Sequence, residues 1–301
     1  MTIRQYLKVI GRGKDGARAL SREQAADLFG QVLDGTAGDL EVGAFCLAMR
    51  IKGETPAEMA GFLDATDARL NKLPATERPM VVLPSYNGAR KLPLLTPLLA
   101  LLLAREGLPV LVHGTATEET RVDTSKVLEA LGVDEQSAIN KVVSGEVSFV
   151  PTRLLCAGLQ RLLDVRRAVG LRNPAHSLVK LMNPCAGPGL VVGSYTHAEY
   201  ATSMAAVFEL VHANALLLRG TEGEPVADAR RMPRMTGFVA GRQVLLEEAP
   251  GGSLVAPPGL PATVDAAGTA AYIRSVMSGR LGVPAPIARQ VEHILHLVSS
   301  P

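Results

Sequence analysis

A chain of 301 residues with 47% hydrophobic and 20% charged residues can bury one or two sizeable cores and is too apolar to be disordered. Its formal net charge is only +2, so any nucleic-acid binding depends on where the cations sit. Aromatic residues make up 4% with no tryptophan, which argues against a surface built mainly of rings stacked on bases. Cys46, Cys156 and Cys185 are far apart, without CxxC spacing, which excludes a disulfide framework or zinc site as the organising feature. The N-terminus lacks the apolar run of a signal peptide, and the apolar stretch from Leu92 to Leu103 carries Pro93 and Pro97 and is too short for a bilayer. A cytoplasmic protein with no membrane partner is expected.

Residues 1–73 read as a helical domain. Ile3, Tyr6, Leu7 and Ile10 recur at helical spacing. Ser21 and Gln24 form a capping box for a second helix that Gly35 ends. A third helix runs from Leu40 to Lys52, and Thr55-Pro56-Ala57-Glu58 opens a fourth, to about Leu70. The basic residues Arg4, Lys8, Arg12, Lys14 and Arg18 are spaced like one helix face. Residues 78–301 read as an α/β domain, with the 153–180 region a candidate to pack with the helical domain. Strands are predicted at Met80–Leu83, Pro109–Val112, Val147–Val150, Leu190–Val192 and Ala215–Leu218. Helices are predicted at Leu94–Glu106, from Asp123 or Thr124 to Leu131, and at Arg153–Val169 and His197–His212. Such alternation implies a mostly parallel sheet covered by helices. Residues 220–262 read as loops with a small hairpin around Gly241-Arg242, followed by helices at about 264–279 and 285–298.

His113-Gly114 followed by Val127-Leu128-Glu129-Ala130-Leu131-Gly132 resembles the anthranilate phosphoribosyltransferase family, whose KHGN motif precedes VLEALG at the same spacing. Val165-Arg166-Arg167, Leu171-Arg172, Leu181 with Asn183-Pro184, and the Ala215–Gly220 strand extend the match from residue 1 to about 280. The resemblance implies the class IV phosphoribosyltransferase architecture, nucleoside phosphorylase-like, with a small all-α N-terminal domain and a parallel sheet flanked by helices.

Enzymes of that family bind the diphosphate of phosphoribosyl diphosphate on a GTGGDG loop, where glycine lets backbone N–H groups approach the anion. This chain has Pro84-Ser85-Tyr86-Asn87-Gly88-Ala89-Arg90 there, and proline has no N–H. Val112, Thr115 and Ala116 stand for the Lys, Asn and Arg of KHGNR, and Glu118 and Glu119 would repel a diphosphate. The magnesium-holding Asp-Glu pair falls on Pro225 and Val226, which offer no ligand. Glu222 and Glu224 are the nearest candidates for a shifted metal site, an arrangement that ligand chemistry weighs against. No catalytic residue and no cofactor is expected, and magnesium only if transferase chemistry survives. Ser85, Asn87, Gly88, His113, Gly114 and Thr115 mark a vestigial phosphate or substrate site.

The variant motif PSYNGARK, with His113-Gly114-Thr115 and Arg172-Asn173-Pro174-Ala175-His176, is similar to the YbiB-like branch of this family. That resemblance implies homodimers, through the N-terminal helices, that bind nucleic acid largely without sequence preference in a basic groove. Local charge is compatible. Arg153, Arg161, Arg166, Arg167, Arg172 and Lys180 face only Asp164 between residues 149 and 183, Arg230, Arg231 and Arg234 form a second cluster, and Arg90-Lys91 a third. The candidate nucleic-acid contacts are thus Arg90, Lys91, Arg153, Arg166, Arg167, Arg172, Lys180, Arg230, Arg231 and Arg234. The plainer alternatives are a solvated helix face for Arg161, Arg166 and Arg167, a satisfied loop histidine for His113 and a tight turn at Asn87-Gly88. Three functions remain open: a non-catalytic DNA- or RNA-binding homodimer, a glycosyl- or phosphoribosyltransferase with a rebuilt phosphate loop and another acceptor, and a scaffolding dimer.

Overall fold

A computed structural model describes residues 2–13 and 15–299, which form two compact units. The first unit opens with α1 (Ile3–Ile10), α2 (Arg22–Asp34), α3 (Asp39–Lys52) and α4 (Pro56–Asp67). Both expected capping boxes are present: Ser21 with Gln24, and Thr55 with Glu58, where Pro56 opens the helix. Gly35 ends α2 in the left-handed conformation that a side chain would strain. The apolar faces meet at Phe29, Phe45 and Phe62, with Phe29 and Phe62 stacked at 4.6 Å.

The chain then enters the second unit through β1 (Met80–Ser85), α5 (Thr96–Arg105), β2 (Val110–Gly114), α6 (Thr124–Ala130) and β3 (Val147–Pro151). It returns to the first unit for α7 (Thr152–Leu155), α8 (Ala157–Val169) and α9 (Ala175–Leu178). The second unit is completed by β4 (Gly189–Tyr195), α10 (Ala198–Leu210), β5 (Ala215–Arg219), β6 (Met235–Val239), β7 (Arg242–Glu247), α11 (Ala266–Met277) and α12 (Ala285–Ser299). Its sheet runs β3-β2-β1-β4-β5-β6-β7, parallel up to β5 and antiparallel beyond. β1 and β2 are buried throughout, which explains the apolar runs Met80–Leu83 and Val110–Val112: parallel strands are covered on both faces. Side chains of Val81, Leu83, Val110, Val112, Val192 and Leu218 pack with α5, α6, α11 and α12 in one core.

Residues 152–184 cluster with the helical unit, as the 153–180 region was a candidate to do, so the second unit is interrupted between 151 and 185. The hairpin expected around Gly241-Arg242 is present as β6 and β7, and it extends the main sheet at its edge. Two expectations change. The helix expected over 153–169 is broken at Cys156, whose extended backbone (φ −158°) separates α7 from α8. The basic residues 4–18 do not share one helix face, since α1 stops at Ile10; Arg18 instead donates to the carbonyls of Asp15 and Ala17, and Lys14 lies outside the described residues. Among the described residues no helix is long and apolar enough to cross a membrane.

Candidate functional site at the carboxyl ends of the parallel strands

In an open parallel sheet, ligands bind beyond the carboxyl ends of the strands, where loops leave for the covering helices. Here β1 delivers Ser85 and the Tyr86–Leu92 loop, β2 delivers His113 and Gly114, and β5 runs into a 3-10 turn at Thr221–Gly223. Ser85 pairs in register with Gly114, and a Cβ on Gly114 would collide with the Ser85 carbonyl. Only glycine allows that approach.

The loop after β1 keeps the geometry of an anion receptor despite its lost glycines. The N–H groups of Asn87 and Gly88 both donate to Glu224 Oε1 at 2.8 Å. The Ser85 hydroxyl donates to Glu224 Oε2, and Thr96 Oγ1 adds a longer bond of 3.2 Å. Since the Ser85 proton goes to the carboxylate, Thr124 must donate to Ser85 across their 2.6 Å contact. The N–H groups of Arg90, Lys91 and Leu92 donate to the carboxylate of Glu222 at 2.8 to 3.2 Å. Glu224 is 1% exposed, so its charge is compensated almost wholly by these donors. Burial raises the carboxyl of neighbouring Asp123 above its ordinary range, and the Glu224 charge adds to the effect.

Glu222 and Glu224, the nearest candidates for a shifted metal site, accept instead from backbone N–H groups, and no group of three metal-ligating side chains exists among the described residues. Asn87 and Gly88 do not offer free N–H groups to an outside anion. His113 is fully buried, with Nδ1 2.8 Å from the Tyr86 hydroxyl and Nε2 without a hydrogen-bond partner among the described residues. Burial pushes its pKa down to about 3, so the ring is neutral. Thr115 is half-buried beside it in the chain, and Glu118 pairs with Arg121 at 3.0 Å. The thiols of Cys46 and Cys185 are pushed up by burial to about 11 and about 12, which leaves them unreactive.

The basic candidates divide between the units. In the first, Arg153 and Arg167 are exposed, while Arg166, Arg172 and Lys180 are half-buried, and Arg167 lies 3.8 Å from Asp164. Arg161 is exposed and donates to the Leu33 carbonyl at 2.8 Å. In the second unit Arg90, Lys91, Arg231 and Arg234 are exposed. Arg230 is engaged instead, gripping Asp228 with two hydrogen bonds of 2.9 and 2.8 Å while feeling the charge of Glu222. Arg234 lies 3.7 Å from the exposed Glu248, a contact of little energetic weight. The carboxylate cradle and the cations Arg90, Lys91 and Arg230 therefore share one region at the end of the sheet.

Residues 4–69 match the model of the glycosyl transferase family helical bundle domain. The chain is 39% identical to YbiB of Escherichia coli K12, over 97% of this chain and 92% of that one. The chain belongs to the YbiB-like branch of the anthranilate phosphoribosyltransferase superfamily. It is also 30% identical to the anthranilate phosphoribosyltransferase of Methanosarcina acetivorans, over 72% of this chain and 59% of that one. The crystal structure of anthranilate phosphoribosyltransferase from Thermus thermophilus superposes with a TM-score of 0.73 at 23% identity, covering 96% of this chain and 85% of that one. This YbiB-like chain therefore has the fold of the transferase family, with a helical domain and a mostly parallel seven-stranded sheet.

The hydrogen bonds that Glu222 and Glu224 accept from residues 85–92 are not evident from sequence spacing. The available signal was Thr221-Glu222-Gly223-Glu224 directly after a parallel strand, in a chain whose anion loop had lost its glycines.

Proposed function

We propose that this protein is a non-catalytic, cytoplasmic homodimer that binds DNA or RNA largely without regard to sequence. The observation that carries it is the group of exposed cations in the sheet-bearing unit. Arg90 and Lys91 make no side-chain hydrogen bond or ion pair among the described residues, and Arg231 is exposed in the same unit. Cations held on a rigid loop and not consumed by carboxylates are suited to phosphates, each contact releasing counterions. Arg153 and Arg167 are also exposed in the helical unit, Arg167 at 3.8 Å from Asp164. Self-association is supported by an open groove of 330 Å³ lined by Leu7, Ile10, Leu47 and Ile51 of α1 and α3, with Leu47 47% and Ile51 64% exposed. A second copy would cover that apolar surface.

The transferase alternative, acting on another acceptor, has less support. Its diphosphate would need the N–H groups that Glu222 and Glu224 occupy, and no group of three metal-ligating side chains exists among the described residues. Fluorescence anisotropy with labelled single- and double-stranded oligonucleotides at low and high salt tests the proposal. Binding that weakens steeply with salt is expected, and no binding at low salt would refute it. Magnesium-dependent binding of phosphoribosyl diphosphate by calorimetry would restore the transferase.

A further inference from the structure

The Ser85–Leu92 loop directs five backbone N–H groups and a hydroxyl at two side chains 130 or more residues away. Consecutive N–H groups converging in this way form a nest whose natural occupant is an oxyanion. One nest, at Asn87-Gly88, is completed by the hydroxyls of Ser85 and Thr96, and the second spans Arg90 to Leu92. Each holds one carboxylate, and the two carboxylates come from positions two apart on one turn.

That turn is held independently of its carboxylates. Ser194 Oγ donates to the Gly223 carbonyl at 2.7 Å, Asn87 Nδ2 to the Glu222 carbonyl at 2.7 Å, and Gln290 Nε2 to the Pro225 carbonyl at 3.0 Å. Thr221 N donates to the Val226 carbonyl at 2.9 Å and closes the turn on itself. Glu222 sits at φ 52°, a left-handed conformation that is uncommon outside glycine, asparagine and aspartate and that persists only where surroundings enforce it. The turn is a fixed element that aims two carboxylates, not a flexible lid.

We propose that the Gly220–Val226 turn is a built-in plug: Glu222 and Glu224 hold a two-part oxyanion cradle closed, and removing their carboxylates opens it to phosphate or pyrophosphate. The plug explains why the loop keeps a receptor's shape without a ligand, since the donors are already satisfied. It also predicts that an incoming anion would meet favourable charge once Glu222 is neutralised, because Arg230 senses that carboxylate and Arg90 and Lys91 carry the N–H groups bound to it. None of this depends on whether the surrounding cations bind nucleic acid.

The test compares the wild-type protein with Glu222→Ala and with Glu222→Ala/Glu224→Ala. Each is titrated calorimetrically, without metal, with inorganic pyrophosphate and separately with orthophosphate. Amide hydrogen exchange is followed across residues 87–92. Wild type should show no saturable binding at millimolar anion. Glu222→Ala should bind pyrophosphate at least about tenfold more tightly than wild type, and the double variant more tightly again. The Arg90, Lys91 and Leu92 amides should exchange faster in Glu222→Ala and regain protection when pyrophosphate is added. Glu222 is half-buried and its turn is braced by other bonds, so the single variant decides the matter if the double variant fails to fold. A folded Glu222→Ala protein that binds no better than wild type overturns the proposal, as does equal binding by wild type. A preference for pyrophosphate over orthophosphate identifies the two nests as one site for linked phosphoryl groups.

Discussion

Replacing Arg90, Lys91 and Arg231 together by alanine should flatten the salt dependence of the proposed nucleic-acid binding. All three are exposed and none is part of the core, so the fold should survive. Each phosphate contact contributes about 0.9 to the slope of log K against log salt on duplex DNA and about 0.7 on single strands. Loss of three contacts should lower the slope by about 2.7 or about 2 respectively. For a protein making about six duplex contacts, affinity falls on the order of 1,000-fold between about 50 mM and 200 mM salt; with three it falls on the order of 50-fold. Arg230→Ala is the internal control, because that guanidinium is already committed to Asp228 and should move the slope least. Anisotropy titrations at four salt concentrations would measure this. A triple variant with the wild-type slope would place the phosphates elsewhere and refute the assignment of these residues.

Three further outcomes follow from the geometry. His113 is buried neutral with its pKa pushed down to about 3, so the unfolded chain takes up a proton before the folded one. Stability should therefore fall as pH drops below about 6.5, by about 2 kcal/mol between about pH 7 and pH 5, and His113→Asn should remove that component in denaturant titrations. Glu58 is fully buried, bonded to Lys52 Nζ at 2.7 Å and to the Leu20 N–H at 2.9 Å, so Glu58→Ala should cost about 3 kcal/mol in urea unfolding while Glu58→Gln costs less. If the proposed dimer forms through the apolar groove, Ile51→Asp should yield folded monomers in sedimentation analysis, and a dimer unaffected by it would move the interface elsewhere.

Local signals were legible where they act locally. Ser21 with Gln24, and Thr55 with Glu58, announce their helices because both partners of each capping box lie within one turn. The apolar runs of β1 and β2 announce buried parallel strands for the same reason. The break at Cys156 has no glycine or proline at it, and α9 is one turn long, so neither leaves a periodic trace. The hairpin of β6 and β7 was legible from its turn at Gly241-Arg242, but not its place in the main sheet: residues 242–245 face water, and their apolar members Val244 and Leu245 carry no clean alternation. The site was legible mainly by what it lacks. Missing glycines and metal carboxylates are visible in one dimension, whereas the bonds from Glu222 and Glu224 to residues 85–92 join segments that only the β1-β4-β5 sheet order brings together.

The plug also bears on why the loop tolerates proline and serine where an enzyme needs glycine. A buried carboxylate costs several kcal/mol to desolvate, and charged hydrogen bonds return about 1.5 to 3 kcal/mol each. Glu224, with two N–H and two hydroxyl donors, is near or past balance without any ligand. Its removal would leave Asn87 and Gly88 N–H groups unsatisfied at about 1 to 3 kcal/mol apiece, while Ser85 could still turn to Thr124. The same substitution that opens the cradle must therefore lower the melting temperature, and pyrophosphate must restore part of it, because a ligand bound only by the folded state stabilises that state by mass action. A melting temperature that falls on Glu224→Ala but does not respond to pyrophosphate would mean that the carboxylate is a structural cap with no room for an anion in its place.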